Sequence, residues 1–321
     1  MHTPIPGINK REKAEFLSDK VERCAVSFES EGETLRGWLY LPRIRQSGRK
    51  LPGIVTANAM TGIKEINLPD YSQLFAEAGF ATIAFDYRYW GESSGEPRYH
   101  LAPMEHRQDI KSALTFLSDQ PEVDPDRIGG WGVSMGGGHM LFLATWEPRF
   151  KAIVATSTGI NPQKEGELLP QEEAEKRYDE LLAASKAERA ARAESNITTL
   201  EAWCPEPKDE CALPVKEAYD FYENARKSYA PGFQNKLTST SFQNMLSDEV
   251  AFAIHLAGAP ILILHPEKDV VPVEDVLFYY KRAPEPKKLV VYSGLHTSTY
   301  SGGKHLQEAA DESIAWFRRY L

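Results

Sequence analysis

Residues 127–138 of the chain read Arg127-Ile-Gly-Gly-Trp-Gly132-Val-Ser134-Met-Gly136-Gly-Gly138. The first five of these residues form an apolar run typical of a buried strand, and residues 138–145 continue in a helical pattern. Between them lies G-x-S-x-G, in which small neighbours allow a serine to occupy a sharp strand-to-helix turn. The N-terminus of the following helix favours developing negative charge. A chance glycine-rich turn would explain the five residues alone, whereas the flanking strand and helix favour a nucleophilic Ser134.

On both sides of residues 127–138, short apolar runs alternate with helical patterns, which favours a parallel sheet covered on both faces. Such runs are typical of strands that are buried on both faces. The chain opens with two β-rich segments around Glu-Ser-Glu-Gly-Glu, a connection that suits a hairpin. The sequence thus predicts an α/β fold with a mostly parallel central sheet. The further predicted strands are residues 53–57, 81–85, 152–155, 261–264 and 288–292, the hairpin strands are 21–28 and 34–41, and the helices include 71–78, 104–120 and 306–320.

One region interrupts this alternation, because residues 161–256 contain no run typical of a buried strand. Residues 172–194 are highly charged, with apolar residues at helical spacing, and predict one amphipathic helix. Residues 215–225 predict another. We therefore expect residues 1–160 and 257–321 to form the core and residues 161–256 to form a helical cap over the carboxyl edge of the sheet, where α/β ligand sites form.

Composition and charge exclude several functional classes. The 321 residues include 37 Lys and Arg against 46 Asp and Glu, and the net charge of −9 disfavours a nucleic-acid partner. No apolar run has the length of a signal peptide or membrane span, so we expect a soluble cytoplasmic protein without a membrane partner. Cys24, Cys204 and Cys211 are odd in number and scattered, which predicts free thiols and no zinc site, with a Cys204–Cys211 disulfide as the alternative. No metal and no organic cofactor is expected.

The nucleophilic serine requires a base and an acid elsewhere in the chain. An imidazole must accept the serine proton, and a carboxylate must fix the tautomer of the imidazole. In this type of fold, acid and histidine follow the serine in that order, each after a strand. Asp269 and His296 satisfy this order and are the predicted acid and base. Glu267 is the alternative acid, whereas His305 comes too late, at the start of the last helix.

Acyl transfer also needs donors for an oxyanion. The N–H after the serine, that of Met135, is the first predicted donor, and Met60 in the loop after residues 54–57 is the second. We expect Asn58 and Trp90 to contact substrate, Asn58 through its side-chain amide. Aromatic residues are also candidates for pocket walls, with core packing as the alternative, and His139 is expected to pack or bond structurally, with a pocket role as the alternative. These aromatic candidates are Tyr89, Trp90, Trp146 and Trp203.

With these residues in place, the sequence resembles the α/β-hydrolase superfamily from the first hairpin to the last helix. Within it, the chain is similar to the dienelactone-hydrolase-like branch that includes fungal polyketide transferases and biosynthetic-cluster hydrolases. Many relatives have His-Gly where this chain has Asn58-Ala59, which leaves the orientation of that loop open. The residues of this resemblance are 58–65, 85–88, 91–93 and 121–128, the serine turn, 267–269 and 294–296.

These observations predict hydrolysis of an ester, lactone or thioester through an acyl-enzyme on Ser134, within secondary-metabolite biosynthesis of the polyketide type. Two alternatives remain open. One is acyl transfer to an alcohol or amine, and the other is a non-hydrolytic condensation or cyclisation with His296 as base alone. The expected partner is a small-molecule acyl substrate, and a homodimer is left open.

Overall fold

A computed structural model describes residues 9–46, 48–159, 198–208, 211–248 and 252–321, together with positions 179, 182, 183 and 186. Within these residues, ten strands form a central sheet and three form a small separate sheet. In chain order the strands are β1 Lys10–Arg11, β2 Glu15–Phe16, β3 Val21–Ser30, β4 Glu33–Pro42, β5 Leu51–Ala57, β6 Ala81–Phe85, β7 Val123–Val133, β8 Phe150–Thr156, β9 Thr199–Trp203, β10 Cys211–Leu213, β11 Leu237–Thr238, β12 Ile261–Lys268 and β13 Lys287–Leu295.

The central sheet has the order β1-β3-β4-β6-β5-β7-β8-β12-β13, with β2 paired to β3. All pairs from β6 to β13 are parallel, whereas β4 is antiparallel to both β3 and β6. The predicted hairpin is confirmed as β3 and β4. Its two-residue turn is Glu31-Gly32, and both residues have the positive φ that a tight hairpin turn requires. The predicted mostly parallel α/β sheet is therefore confirmed.

Helices cover both faces of this sheet. They are α1 Leu68–Glu77, α2 Pro103–Ser118, α3 Met135–Trp146, α4 Lys216–Ser228, α5 Ser241–Leu246, α6 Val273–Arg282 and α7 Leu306–Tyr320. Apolar residues of α1 and α7 form one core layer with the sheet, and those of α2, α3 and α6 form the other. The strand β13 departs from the prediction of burial on both faces, because among the described strands it lies at the edge of the sheet and pairs with β12 alone. Its Val291 is 47% exposed.

The insertion between β8 and β12 was predicted to be helical, and this prediction was wrong in part, because the insertion contains both strands and helices. The strands β9, β10 and β11 form a three-stranded sheet in the order β10-β9-β11. These strands have two to five residues, so their sequences are too short to give a recognisable strand pattern. The predicted helix at residues 215–225 is confirmed as α4. The predicted helix at residues 172–194 lies outside the described residues apart from four positions, and the limits of the cap stay a prediction.

A disulfide that was expected only as an alternative lies beside the small sheet. Cys204 and Cys211 form a disulfide, so the prediction of free thiols was wrong for these two residues. The reason is topological: β9 and β10 run in parallel, and this brings the two Cα atoms to 6.2 Å although seven positions separate them in sequence. Cys24 is a buried free thiol, as predicted.

Candidate active site

Ser134 occupies a strained turn between β7 and α3. Its backbone has φ 53° and ψ −121°, a conformation that non-glycine residues rarely adopt. Two neighbouring glycines make this turn possible. A Cβ on Gly132 would lie 2.2 Å from the carbonyl oxygen of Gly136, and a Cβ on Gly136 would lie 2.2 Å from that of Ala57. The serine N–H donates to the Thr156 carbonyl oxygen at 2.8 Å, which fixes the turn against β8.

The three residues predicted to act together form a hydrogen-bonded chain, in which His296 lies between Ser134 and Asp269. His296 begins a 3-10 turn directly after β13, and Asp269 directly follows β12. The His296 Nε2 atom is 3.0 Å from Ser134 Oγ, and His296 Nδ1 is 2.6 Å from Asp269 Oδ1. Since β7, β12 and β13 run parallel, their carboxyl ends bring these side chains to the same edge of the sheet.

Asp269, rather than the alternative Glu267, is the carboxylate that contacts the imidazole. Glu267 is exposed, whereas the Asp269 side chain is completely buried. Burial alone would raise the pKa of Asp269, but the charge of His296 and hydrogen bonds from His296 and Val271 outweigh it, so the pKa lies below its ordinary value. The carboxylate is therefore ionised at neutral pH. His305 lies at the start of α7 and pairs with Glu308, away from this group.

Another histidine, His265, lies beside the acid loop. Its Nε2 is 3.0 Å from the Val271 carbonyl oxygen, and its Nδ1 is 3.8 Å from Asp269 Oδ2. Burial lowers the pKa of His265, so the ring is neutral and supports the loop through the Val271 contact. The order of residues along the chain excluded His265 as the base, and sequence reasoning gave it no other role.

Ser134 and His296 line a cavity whose walls are mostly apolar. The core contributes Met60 and Met135, and the insertion contributes one wall from β9, β10 and α4. Of the four aromatic candidates, Trp203 lines this cavity, and its Nε1 donates to Thr61 Oγ1 at 2.9 Å. Sequence reasoning missed several other wall residues, because nothing in the local sequence shows where the insertion folds back. They are Leu213, Val215, Glu217, Ala218, Tyr222, Met245 and Tyr300.

The two predicted oxyanion donors both lie at the cavity. Met135 is the first residue of α3, so its N–H has no acceptor one turn earlier in the helix. Met60 is held through its carbonyl oxygen, which accepts the Tyr222 hydroxyl at 2.9 Å. This contact joins the loop after β5 to the insertion.

The predicted substrate contacts Asn58 and Trp90 are not among the residues that line this cavity. The Asn58 amide nitrogen donates to the Ile63 and Ile66 carbonyl oxygens at 2.7 and 3.1 Å. The Asn58 side-chain oxygen accepts from Ala59 N at 2.8 Å. Trp90 is 2% exposed, and its Nε1 donates to the His100 carbonyl oxygen. Asn58 thus shapes the loop that contains Met60.

A buried ion-pair network connects the loop that contains Met60 to the segment that follows β6. The Asp86 carboxylate accepts the backbone N–H groups of Lys64 and Glu92 at 2.6 and 3.0 Å, and Lys64 Nζ lies 3.1 Å from Asp86 Oδ2. Asp86 is completely buried, and a Cβ on Gly91 would collide with its carboxylate. The network explains why Asp86 and Gly91 occur in the stretch that follows β6.

His139 on α3 packs beneath the site instead of lining it. Its ring lies 6.0 Å from Tyr87 and 6.1 Å from His106, between ring centroids. Among the described residues, neither ring nitrogen of His139 has a hydrogen-bond partner. Burial lowers the pKa of both histidines well below the ordinary value, so both are neutral.

The turn that contains His296 is fixed by the insertion. Glu217 on α4 accepts two hydrogen bonds from Thr297, from its backbone N at 2.6 Å and from its Oγ1 at 2.5 Å. Tyr71 on α1 also holds this turn, because its hydroxyl donates to the Thr299 carbonyl oxygen at 2.6 Å. The position of the imidazole therefore depends on both the core and the insertion.

Metal binding and membrane insertion are two further classes of function. The described residues contain no group of three or more His, Cys, Asp and Glu side chains placed to hold a metal ion. None of the helices in the described part of the chain has the length and apolar character that crossing a membrane requires.

Comparison with known proteins places the chain in a family. The family model of the X-Pro dipeptidyl-peptidase (S15 family) matches residues 31–298, which include the serine turn, the acid loop and the histidine. The chain belongs to the S15 family. As a member, it is an enzyme of the α/β-hydrolase type, and the predicted superfamily is confirmed.

Individual relatives of this S15-family chain include hydrolases and transferases of fungi. It is 30% identical to the thiohydrolase aneE of Aspergillus aculeatus over 268 residues, which are 82% of each chain. It is 26% identical to a polyketide transferase of Gibberella fujikuroi over 306 residues, 87% of this chain and 91% of the relative. The crystal structure of the α/β-hydrolase GrgF from Penicillium sp. sh18 has a TM-score of 0.76 at 23% identity, covers 93% of this chain and 98% of that one, and shows the shared fold.

Proposed function

We propose that this protein is a serine hydrolase that cleaves an ester, lactone or thioester through an acyl-enzyme on Ser134. The observation that supports this most strongly is the continuous hydrogen-bonded path from Ser134 Oγ to His296 Nε2 at 3.0 Å and from His296 Nδ1 to Asp269 at 2.6 Å. A serine, a histidine and a buried carboxylate connected in this way supply the nucleophile, the base and the acid of nucleophilic acyl transfer.

In the proposed first half-reaction, His296 Nε2 takes the hydroxyl proton of Ser134 as the oxygen attacks the substrate carbonyl carbon. The Met60 and Met135 amides donate to the oxyanion that forms. Asp269 holds the Nδ1–H of His296 and stabilises the imidazolium. The carbon–heteroatom bond then breaks, and the imidazolium gives its proton to the departing oxygen or sulfur. In the second half-reaction, water attacks the acyl-enzyme carbonyl carbon and His296 accepts a water proton. The bond from that carbon to Ser134 Oγ then breaks, the imidazolium returns its proton to Ser134 Oγ, and the acid is released.

The mostly apolar cavity walls favour a substrate with an extended apolar acyl group, since burial of apolar surface stabilises its binding. A relative named thiohydrolase supports a thioester, and a relative named polyketide transferase supports a polyketide acyl group. We infer a role in secondary-metabolite biosynthesis on this basis.

Acyl transfer to an alcohol or amine is the second candidate, supported by the relative named polyketide transferase. It would use the same acyl-enzyme, with the acceptor in place of water. Product analysis separates the two candidates. The protein is incubated with N-acetylcysteamine thioesters and p-nitrophenyl esters of increasing acyl length, with and without an added alcohol or amine. Free acid in both conditions supports hydrolysis, whereas a new ester or amide that depends on the acceptor supports transfer, and no turnover of any member would contradict both.

Glu217 provides a test of how the insertion contributes to this reaction. Replacing Glu217 by alanine is expected to lower kcat about tenfold, because Thr297 loses a charged acceptor and the turn that positions His296 loosens. The measurement is steady-state turnover of a p-nitrophenyl ester. Asp220→Ala is the matched control, since Asp220 is exposed on the same helix, and a change below about twofold is expected there. Equal losses in the two variants would contradict this role of Glu217.

A further inference from the structure

Tyr300 places a hydroxyl group at the atom of the site that transfers protons. Its Oη lies 2.9 Å from His296 Nε2, the same nitrogen that lies 3.0 Å from Ser134 Oγ. Tyr300 directly follows the 3-10 turn that begins at His296, and its backbone N donates to the Thr297 carbonyl oxygen at 2.9 Å. The residue is 3% exposed and yet lines the cavity with Ser134. The Tyr300 hydroxyl is thus a third polar group at one reacting nitrogen.

The hydroxyl keeps its proton under ordinary conditions, because burial raises the pKa of Tyr300 well above its usual value. A protonated phenol is both a donor and an acceptor. Since Asp269 takes the Nδ1–H of His296, Nε2 is an acceptor in the resting enzyme, and two hydroxyl groups compete for its single lone pair. Once His296 has taken the proton of Ser134, Nε2 carries a hydrogen and no longer accepts, so the Tyr300 hydroxyl can donate to a substrate atom beside that nitrogen.

We propose that Tyr300 is a catalytic residue that binds the heteroatom of the leaving group, and this inference rests on the proposed acyl-enzyme reaction. When the carbon–heteroatom bond breaks, its electron pair stays on the leaving oxygen or sulfur. The proton taken from Ser134 moves from His296 Nε2 to that atom, while Tyr300 donates a hydrogen bond to it and keeps its own proton. In deacylation, the oxygen of the incoming nucleophile occupies the same place beside Nε2.

The geometry separates this role from support of the turn. The Tyr300 ring packs edge-on against Phe221 at 5.0 Å and against His296 at 5.4 Å, and phenylalanine would keep both contacts. The turn itself is held by other groups, namely the Tyr71 hydroxyl on Thr299 and Glu217 on Thr297. Removing the Tyr300 hydroxyl therefore changes the reacting nitrogen's surroundings more than the fold.

The test is the dependence of acylation on the leaving group in Tyr300→Phe. Acylation rates are measured with an ethyl ester and a p-nitrophenyl ester of the same acid. The ethoxide leaving group needs a proton and a hydrogen bond, whereas p-nitrophenolate leaves as an anion. We expect the rate to fall about 10- to 100-fold for the ethyl ester and less than about threefold for the p-nitrophenyl ester. An equal fall for both substrates would overturn the proposal.

Two further variants keep the result interpretable. Tyr71→Phe removes a hydroxyl that holds the same turn without contacting His296, so its effect, whatever its size, should be the same for both esters. A leaving-group dependence in Tyr71→Phe like that in Tyr300→Phe would overturn the proposal as well. Ser134→Ala distinguishes the two levels of inference: if that variant still forms an acyl-enzyme, the proposed function fails, and if it does not, only the Tyr300 result bears on the leaving-group role.

Discussion

Replacing Ser134 by alanine is expected to lower kcat for a p-nitrophenyl ester by about 10⁴- to 10⁶-fold. Without the hydroxyl oxygen, no covalent bond to the acyl group forms, and only substrate binding and the oxyanion donors remain. The backbone N–H that fixes the turn is retained, so we expect the fold to persist, although alanine must adopt the same positive φ as the serine. The measurement is steady-state turnover, with circular dichroism as the check of folding.

Ser72→Ala is the matched control for this variant. It removes a buried hydroxyl on α1, and Ser72 is not among the residues lining the cavity. Turnover by Ser72→Ala is expected to stay within about threefold of the unmodified protein. Residual turnover above about 1% in a folded Ser134→Ala protein would contradict the nucleophilic role, because binding and oxyanion donors alone cannot supply that rate.

Replacing Asp269 by asparagine is expected to lower kcat about 10⁴-fold while leaving KM nearly unchanged. An amide can donate to Nδ1, which stabilises the tautomer that presents Nε2–H to Ser134 and blocks proton transfer from the serine. It also removes the charge that stabilises the imidazolium. The measurement is the separate determination of kcat and KM for one ester.

The control for this variant is Glu267→Gln, which changes the alternative acid on the same loop. Since Glu267 is exposed and Asp269 is the carboxylate that contacts His296 Nδ1, we expect a change in kcat below about twofold. A loss of similar size in both variants, or a larger one in Glu267→Gln, would reassign the acid.

The parts of the site that the sequence predicts are those whose place is set by the order of parallel strands. Ser134, Asp269 and His296 each follow a strand of one sheet, and parallel strands bring their carboxyl ends to one edge. Apolar runs and the glycine pattern mark these strands and the serine turn without any knowledge of long-range contacts.

The parts that sequence reasoning missed depend on how the insertion folds back. Glu217 and Tyr222 reach the site only because α4 packs against the His296 turn and the loop of Met60. The Cys204–Cys211 disulfide depends on a parallel pairing of two very short strands. Tyr300 lies only four residues after His296 in the sequence. Its hydroxyl reaches Nε2 because residues 296–299 form a 3-10 turn, which the sequence does not predict.

Asn58 illustrates a different limit. Its amide was predicted from its side-chain chemistry to contact substrate, whereas the structure places its hydrogen bonds inside the loop. A donor in a loop near a nucleophile can bind substrate or backbone, and the choice depends on the direction of the side chain. Composition and spacing contain no information about that direction.

The most direct test of the central claim is covalent labelling with a serine-directed fluorophosphonate, followed by mass spectrometry of the intact protein and its peptides. We expect one adduct per chain, on the peptide that contains Ser134, and no adduct on Ser134→Ala. Labelling of Ser134→Ala at an undiminished rate, or an adduct at any other residue in the unmodified protein, would contradict that claim.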